Sequence, residues 1–424
     1  MKKLDIILKE IERKGNLVNF HFTTSRELEG FFTTDTFFIE YDRDVTNVPD
    51  SILSIPFVSC MLAFSWIIDC NLWVRDIDKT FYDSVPRIRQ AYQEIYDDCS
   101  LKGRFVPAIL TRNRLPMPSN LKNESVLLFS GGADCQATFI RNKGKSPLLC
   151  NIQGWYKSLS QIDTAADADK RDITRFASEN NVPTCFVKSN FAVVIGPQFD
   201  KQFSKVLGDT MWHGFLHSMA FIGIAIPVAY QAGIEEILIA SSLTIGLNYH
   251  CASNLTTDSE FCFANTGYTT HDGFELNRQD KMSVIVKHQK EIGKPYFMRV
   301  CSFNDHNCCE CEKCFRTILG IVAEGGDIHD FGFNIQGSLK DHWVNVLNRK
   351  AGLMSFKSEK FIHWPHIKKR MIENYDNIQD KEFVDWFLSF DFDKAKREGL
   401  MRYYRQNFFK IVKRKLRYHF KLKR

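Results

Sequence analysis

Short apolar runs recur along the middle of the chain, each followed by a longer stretch of mixed polarity. Residues 126–129 (Val-Leu-Leu-Phe) are uniformly apolar, the mark of a strand buried on both faces of a parallel sheet. Residues 148–154, 184–188 and 237–241 repeat that pattern. Between the runs, 135–140 can open a helix, 164–180 reads as a charged helix and 215–233 as a long apolar one. Strand and helix in alternation predict an α/β fold, a parallel sheet with helices on both faces. Upstream, 16–22 and 36–41 read as strands, and 51–73 and 79–96 as helices. A Pro-containing stretch, 112–119, reads as a linker. Beyond 336 the pattern is mostly helical, with Trp343, Trp364 and Trp386 as packing anchors. The expected division is therefore an N-terminal α+β extension at 1–118, a sheet domain at 119–335 and a helical region at 336–424. No internal repeat or low-complexity tract interrupts it.

Composition narrows the class. A chain of 424 residues with ordinary apolar and charged content can bury a large core. Thirteen cysteines, several of them clustered, point to a reducing compartment and a cytoplasmic protein rather than a disulfide framework. The basic start at Met1-Lys2-Lys3 leads nowhere as a signal peptide, because Asp5, Lys9 and Glu10 break the apolar core it would need. Residues 51–68 lack any charge over the length at which a helix can span a bilayer, but they contain Pro56 and serines. Residues 215–233 contain His217, Ser218 and Pro227. Both are expected as buried helices.

The net charge of +6 is unevenly placed. Residues 399–424 hold ten Lys/Arg and no Asp/Glu, so the remainder sums to 6 − 10 = −4. Phe408, Val412, Leu416 and Phe420 recur every four residues there, giving a basic amphipathic helix. Packing favours a helix docked on its own domain by that stripe. Contact with RNA or an anionic membrane is the alternative.

The first candidate chemistry follows the run at 126–129. Ser130-Gly131-Gly132-Ala133-Asp134-Cys135 places two glycines between a strand and a helix N-terminus. Glycines let the backbone approach an anion, and the first N–H groups of the helix point at it. Ser130 adds a hydroxyl, and Asp134 a carboxylate able to hold Mg²⁺ on bound phosphates. Gly144-Lys145-Ser146 does not make a Walker A loop, because Phe139 stands where its first glycine belongs; it reads as a polar turn. The second candidate is Cys301, Cys308, Cys311 and Cys314, spaced C-x6-C-x2-C-x2-C. Four thiolates suit tetrahedral Zn²⁺ with no position open for water, hence a structural metal, with an iron–sulfur cluster as rival. Cys309 is expected as a bystander, with its replacing one of the four as the alternative, and His306 is a weaker ligand candidate.

The loop at 130 resembles the S-G-G-x-D-S/T signature of the PP-loop ATP pyrophosphatases, with Cys135 departing at the last position. Together with the cysteine quartet and Arg316 just after it, the chain resembles the 7-cyano-7-deazaguanine synthase branch over residues 120–335. The resemblance implies an adenine nucleotide alpha hydrolase-like, Rossmann-like domain. It also implies ATP as substrate, with attack at the α-phosphorus releasing pyrophosphate. A carboxylate or amide oxygen of a small-molecule or macromolecular acid would attack, and a nitrogen nucleophile would then displace AMP. Ser130 and Asp134 would serve catalysis, residues 130–135 would contact the nucleotide, and Lys281 would reach its phosphates. The match is poor at 248–278, and the strand ending at Ser241-Ser242 lacks a glycine usual in those synthases.

Three alternatives stand beside this reading. RNA thiolation would use Cys135 with Cys185 or Cys251. Sugar amidation is the second, and a non-catalytic nucleotide-binding part of a defence or assembly complex the third. A homo-oligomer is compatible with all of them. His271 can be read as a general base oriented by Asp272, provided a turn at Gly273 brings the two together. His213, His217 and His250 show no partner in sequence.

Overall fold

The structure is a computed structural model that describes residues 4–118, 122–154, 159–247, 250–301, 304–350 and 362–421, without the side chains of 159–166, 350, 403, 406 and 409–421. It is an α/β protein with two compact units, residues 1–277 and 278–424. The expected boundaries at 118 and 335 both fall inside a unit.

The first unit is organised on one sheet of eleven strands. In chain order these are β1 (Asp5–Lys14), β2 (Leu17–Thr24), β3 (Thr36–Tyr41), β4 (Asn71–Asp78), β5 (Arg104–Thr111), β6 (Ser125–Leu128), β7 (Leu148–Gln153), β8 (Thr184–Ser189), β9 (Glu236–Ala240), β10 (Cys262–Phe263) and β11 (Gly267–Asp272). The order across the sheet is β10-β11-β9-β6-β7-β8-β3-β2-β1-β4-β5. From β11 to β8 all neighbours are parallel. The N-terminal strands continue that sheet through an antiparallel seam, β3 on β8, with Tyr41 opposite Val187 and Ile39 opposite Ser189. This is why the first 118 residues do not separate from the domain that follows.

The helices of this unit are α1 (Asp50–Ile68), α2 (Lys79–Ile95), α3 (Ala133–Arg141), α4 (Leu159–Asn180), α5 (Phe191–Val194), α6 (Gln198–Leu207), α7 (His217–Ala232) and α8 (Leu255–Asp258). Helix α1 is shorter than the expected 51–73. Asp69 adopts a left-handed conformation (φ 56°) and closes the helix, and the chain turns at once into β4, where Leu72 and Val74 face inward. Helix α7 continues from a turn of π-helix at Met211–Leu216. Both α1 and the Met211–Ala232 stretch are long and apolar enough to cross a membrane, yet 89% and 72% of their apolar windows are buried inside the protein. They are core helices. They pack tightly at Gly223, where an added Cβ would lie 2.4 Å from the Ser59 side chain.

The second unit holds α9 (Arg278–Ile292), α10 (Glu312–Ala323), α11 (Leu339–Lys350), α12 (Trp364–Glu373), α13 (Lys381–Ser389) and α14 (Phe392–Lys421). Its core is aromatic. Phe315 lies 4.2 Å from Trp343 between ring centroids, and Trp364 lies 4.1 Å from Phe392. Trp343 and Trp364 are buried, while half-buried Trp386 stacks on Phe383.

Candidate nucleotide and metal sites

Strand β6 is carried one residue past its end by its neighbour β7. The Phe129 N–H donates to the Cys150 carbonyl (2.8 Å), and the Asn151 side-chain amide donates to the Phe129 carbonyl (2.9 Å). The chain then turns through exposed Ser130 and through Gly131 at φ 76°, a conformation that favours glycine. Among the described residues, a Cβ added at Gly131 would meet nothing within 4 Å, and one at Gly132 only the Ser130 hydroxyl at 3.6 Å, so that no described residue fills the space over the loop. Gly132 is the N-cap of α3 and supplies no side-chain hydrogen bond to the helix. The N-cap itself therefore satisfies none of the N–H groups of the first turn.

The loop is braced from beneath. The Gln136 side-chain amide donates to the Gly131 carbonyl (2.9 Å). Cys135 is buried, donates to the Gly132 carbonyl (3.1 Å) and lies 3.7 Å from the Ser130 hydroxyl oxygen. Burial pushes its thiol up, so it stays protonated as a donor within the loop. Ala133 is buried beside it, and Asp134 stands half-buried in the first turn, where the helix dipole favours a negative charge.

The placement in the sheet matters as much. The chain runs from β6 through β7 to β8 on one side, then crosses to β9 and β11 on the other. The order reverses between β6 and β9, and in open α/β sheets ligands bind beyond the strand carboxyl ends at such a reversal. Residues 130–134 sit there. A cleft of about 490 Å³ lined by Asn123, Glu124, Glu235 and Thr266 flanks the opposite, amino-terminal ends of β6, β9 and β11.

The pairing expected for His271 is corrected. His271 and Asp272 are consecutive in β11 and point to opposite faces. The partner of His271 is Asp258, whose carboxylate lies 2.8 Å from Nδ1, with both side chains wholly buried. Ser253 donates to the same carboxylate oxygen (2.9 Å), and His271 Nε2 is buried with no hydrogen-bond partner among the described residues. Asp272 instead pairs with Arg141 at 3.4 Å. Sequence gave one faint sign of Asp258: the capping box of Asn254 and Thr257, which starts the short helix that ends on it.

The other histidines are partnered as well. His213 meets Asp209 at 2.8 Å, His250 lies beside the Tyr96 ring, and His217 Nδ1 donates to the Trp212 carbonyl (3.1 Å). Burial holds the His217 pKa below its ordinary value, partly offset by that hydrogen bond. Cys251 lies 3.9 Å from His217, and burial pushes its thiol up to about 12. Cys185 is register-paired with Cys150 across β7 and β8.

In the second unit, Cys301, Cys308, Cys311 and Cys314 bring their sulfurs within 4.8 Å of one another, a group that can hold a metal ion. The Cys311 and Cys314 sulfurs are 3.5 Å apart, those of Cys308 and Cys314 3.9 Å. Cys311 is the N-cap of α10 and Cys314 lies in its first turn, so the positive end of the helix favours thiolates there. Burial pushes the Cys308 thiol up to about 11, while the hydrogen bond with Cys314 draws Cys311 down to about 5. Asn307 fastens the loop, accepting from the Val300 N–H (2.9 Å) and donating to the Met298 (2.8 Å) and Gly332 (3.1 Å) carbonyls. Cys309 turns away to the Asn307 carbonyl, and His306 is exposed against Asp305; neither joins the group. Ser302 and Phe303, within the quartet's span, lie outside the described residues, as do Asn248 and Tyr249. Lys281 is a buried residue of α9.

No family model, curated protein or solved structure matches the chain.

Proposed function

We propose that the chain is an ATP pyrophosphatase of the PP-loop kind that activates an acid by adenylation and passes it to a nitrogen nucleophile. The observation that carries this reading is the glycine turn at Gly131–Gly132, open above, uncapped at α3 and set at the reversal of strand order. Such a turn suits the pyrophosphate that departs when the α-phosphorus is attacked, because fixed N–H groups stabilise charge developing on the leaving group. A substrate carboxylate oxygen forms the new bond to the α-phosphorus, and the bond to pyrophosphate breaks. Ammonia or an amine then bonds to the acyl carbon, AMP leaves with the bonding electrons, and the product is an amide. An amide oxygen activated the same way leads to a nitrile.

Asp134 is the carboxylate to hold Mg²⁺, which when bound neutralises charge on the leaving phosphates. Ser130, exposed at the lip of the turn, would donate its hydroxyl to a phosphate oxygen. The four cysteines suit Zn²⁺: thiolate donors, tetrahedral number, and no place kept for a reacting water. The task of such a metal is to hold the 301–314 loop on α10. A cytoplasmic setting agrees with thirteen free cysteines.

The sulfur-transfer alternative needs a second cysteine at the loop. The partners of Cys135 are Ser130 and Gly132, whereas Cys185 faces Cys150 and Cys251 faces His217. Nitrogen transfer asks for no such pair. The test is Asp134→Asn, which should still bind ATP but release pyrophosphate at least about tenfold more slowly, an amide being a poorer ligand for a hard cation. Undiminished release would remove Asp134 from the reaction.

A further inference from the structure

We propose that β5, the free edge of the first unit's sheet, takes up an extended acidic peptide segment of a partner protein as a further strand. Strand β5 ends the sheet, so one side of its backbone faces no strand among the described residues. The Arg104 N–H donates to the Cys70 carbonyl (3.1 Å), and the parallel register with β4 runs on from there. The even-numbered residues of β5 therefore turn their backbone groups toward β4, and Phe105, Pro107, Ile109 and Thr111 turn theirs outward. The missing N–H of Pro107 falls on the free side and leaves the ladder to β4 whole. Phe105, Ile109 and Thr111 keep donors on that side, and all four residues keep carbonyls. The opposite edge, β10, is two residues long and offers no such run.

The side chains select the occupant. Ile109 and Leu110 are exposed by 48% and 40% on opposite faces of the strand, so an added strand finds apolar contact on both sides. Arg75, Lys102, Arg104, Arg112 and Arg114 are exposed around them, and none forms an ion pair among the described residues. The acids on the neighbouring strands are engaged: Asp76 accepts from the Thr111 hydroxyl (2.7 Å), and Asp5 from Trp73 (2.8 Å) and Asn71 (2.9 Å). A second copy fits badly. Antiparallel pairing of two β5 strands centred on Ala108 sets Arg104 of each copy opposite Arg112 of the other, and like charges directly opposite destabilise a sheet. A segment with acidic ends and an apolar centre meets Arg104 at one end and Arg112 and Arg114 at the other. Backbone pairing then gives the affinity, and the flanking charges choose the partner.

The test is fluorescence anisotropy of the full chain with two labelled peptides of alternating valine and threonine, one flanked by glutamates and the other by lysines. The glutamate peptide should bind at least about tenfold more tightly than the lysine peptide. N-methylation of its alternate amides, which removes the donors a strand needs, should weaken binding at least about tenfold. Ile109→Pro removes one outward N–H, spares the ladder to β4, and should weaken binding at least about fivefold with the melting curve retained. Arg104→Glu with Arg112→Glu should reverse the preference between the two peptides. Sedimentation equilibrium of the chain alone runs beside these titrations. No binding of the glutamate peptide, equal binding of both peptides, binding indifferent to N-methylation, an unchanged preference in the arginine variant, or a dimer that Ile109→Pro dissolves would each overturn the proposal.

Discussion

Replacing Gly132 by valine should remove ATP binding while leaving the first unit folded. Gly132 has φ −78° and ψ 168°, a conformation open to any residue, and its nearest neighbour in the direction of a Cβ is the Ser130 hydroxyl at 3.6 Å. The fold therefore loses only the difference between glycine and valine at an N-cap, about 1 kcal/mol. That lowers the melting temperature by about 2–4 °C in a unit of this size. The branched side chain, however, occupies the space over the loop. If the N–H groups there hold phosphate oxygens, blocking two such bonds at about 1.5–3 kcal/mol each costs about 3–6 kcal/mol, or 10²–10⁴ in affinity. Titration calorimetry with a non-hydrolysable ATP analogue, beside a melting curve, reads both quantities. Gly132→Ala serves as a milder partner, with a smaller loss of affinity and the same fold. Wild-type affinity in the folded valine variant would refute the assignment of the loop as a phosphate cradle.

Elemental analysis of fresh protein should give one zinc per chain; Cys311→Ser should lose it and Cys309→Ser should keep it. Iron, or metal loss in the Cys309 variant, would contradict the assigned quartet. Asp258→Ala strands the buried His271 and Ser253 donors, so urea unfolding should show a loss of about 2–5 kcal/mol, and a loss below about 1 kcal/mol would mean water takes over the role. His217 is buried with a lowered pKa, so the unfolded chain takes up the proton first. Stability present above about pH 6.5 should decline as pH falls below that value, and His217→Gln should flatten the decline; an unchanged slope would place the titration elsewhere.

The centre of the fold was legible because its signals are local. An apolar run entering Ser-Gly-Gly and four cysteines at tight spacing each fix geometry within a few residues, and β6, the loop, α3 and the thiol cluster stand where those signals put them. The N-terminal part was less legible. Strand β1 alternates poorly, with Glu10 and Lys9 breaking its pattern, and β5 carries Pro107, as an edge strand can. Strand β4 was absorbed into the helix before it, because the left-handed turn at Asp69 leaves no glycine to mark the stop. The seam of β3 on β8 joins segments nearly 150 residues apart, and nothing local announces it. The partner of His271 escaped for the same reason: Asp258 reaches it by the packing of α8 beside β11, whereas the adjacent Asp272 is turned away by the strand's own alternation.

The most direct measurement is the identity of the nucleotide products. Wild-type protein incubated with ATP, Mg²⁺, ammonium and a panel of candidate carboxylic acids, followed by phosphorus NMR, should give AMP and pyrophosphate in equal amounts with the acid that is its substrate. ADP and inorganic phosphate in their place would mean cleavage between the β- and γ-phosphates and would contradict the account at its centre.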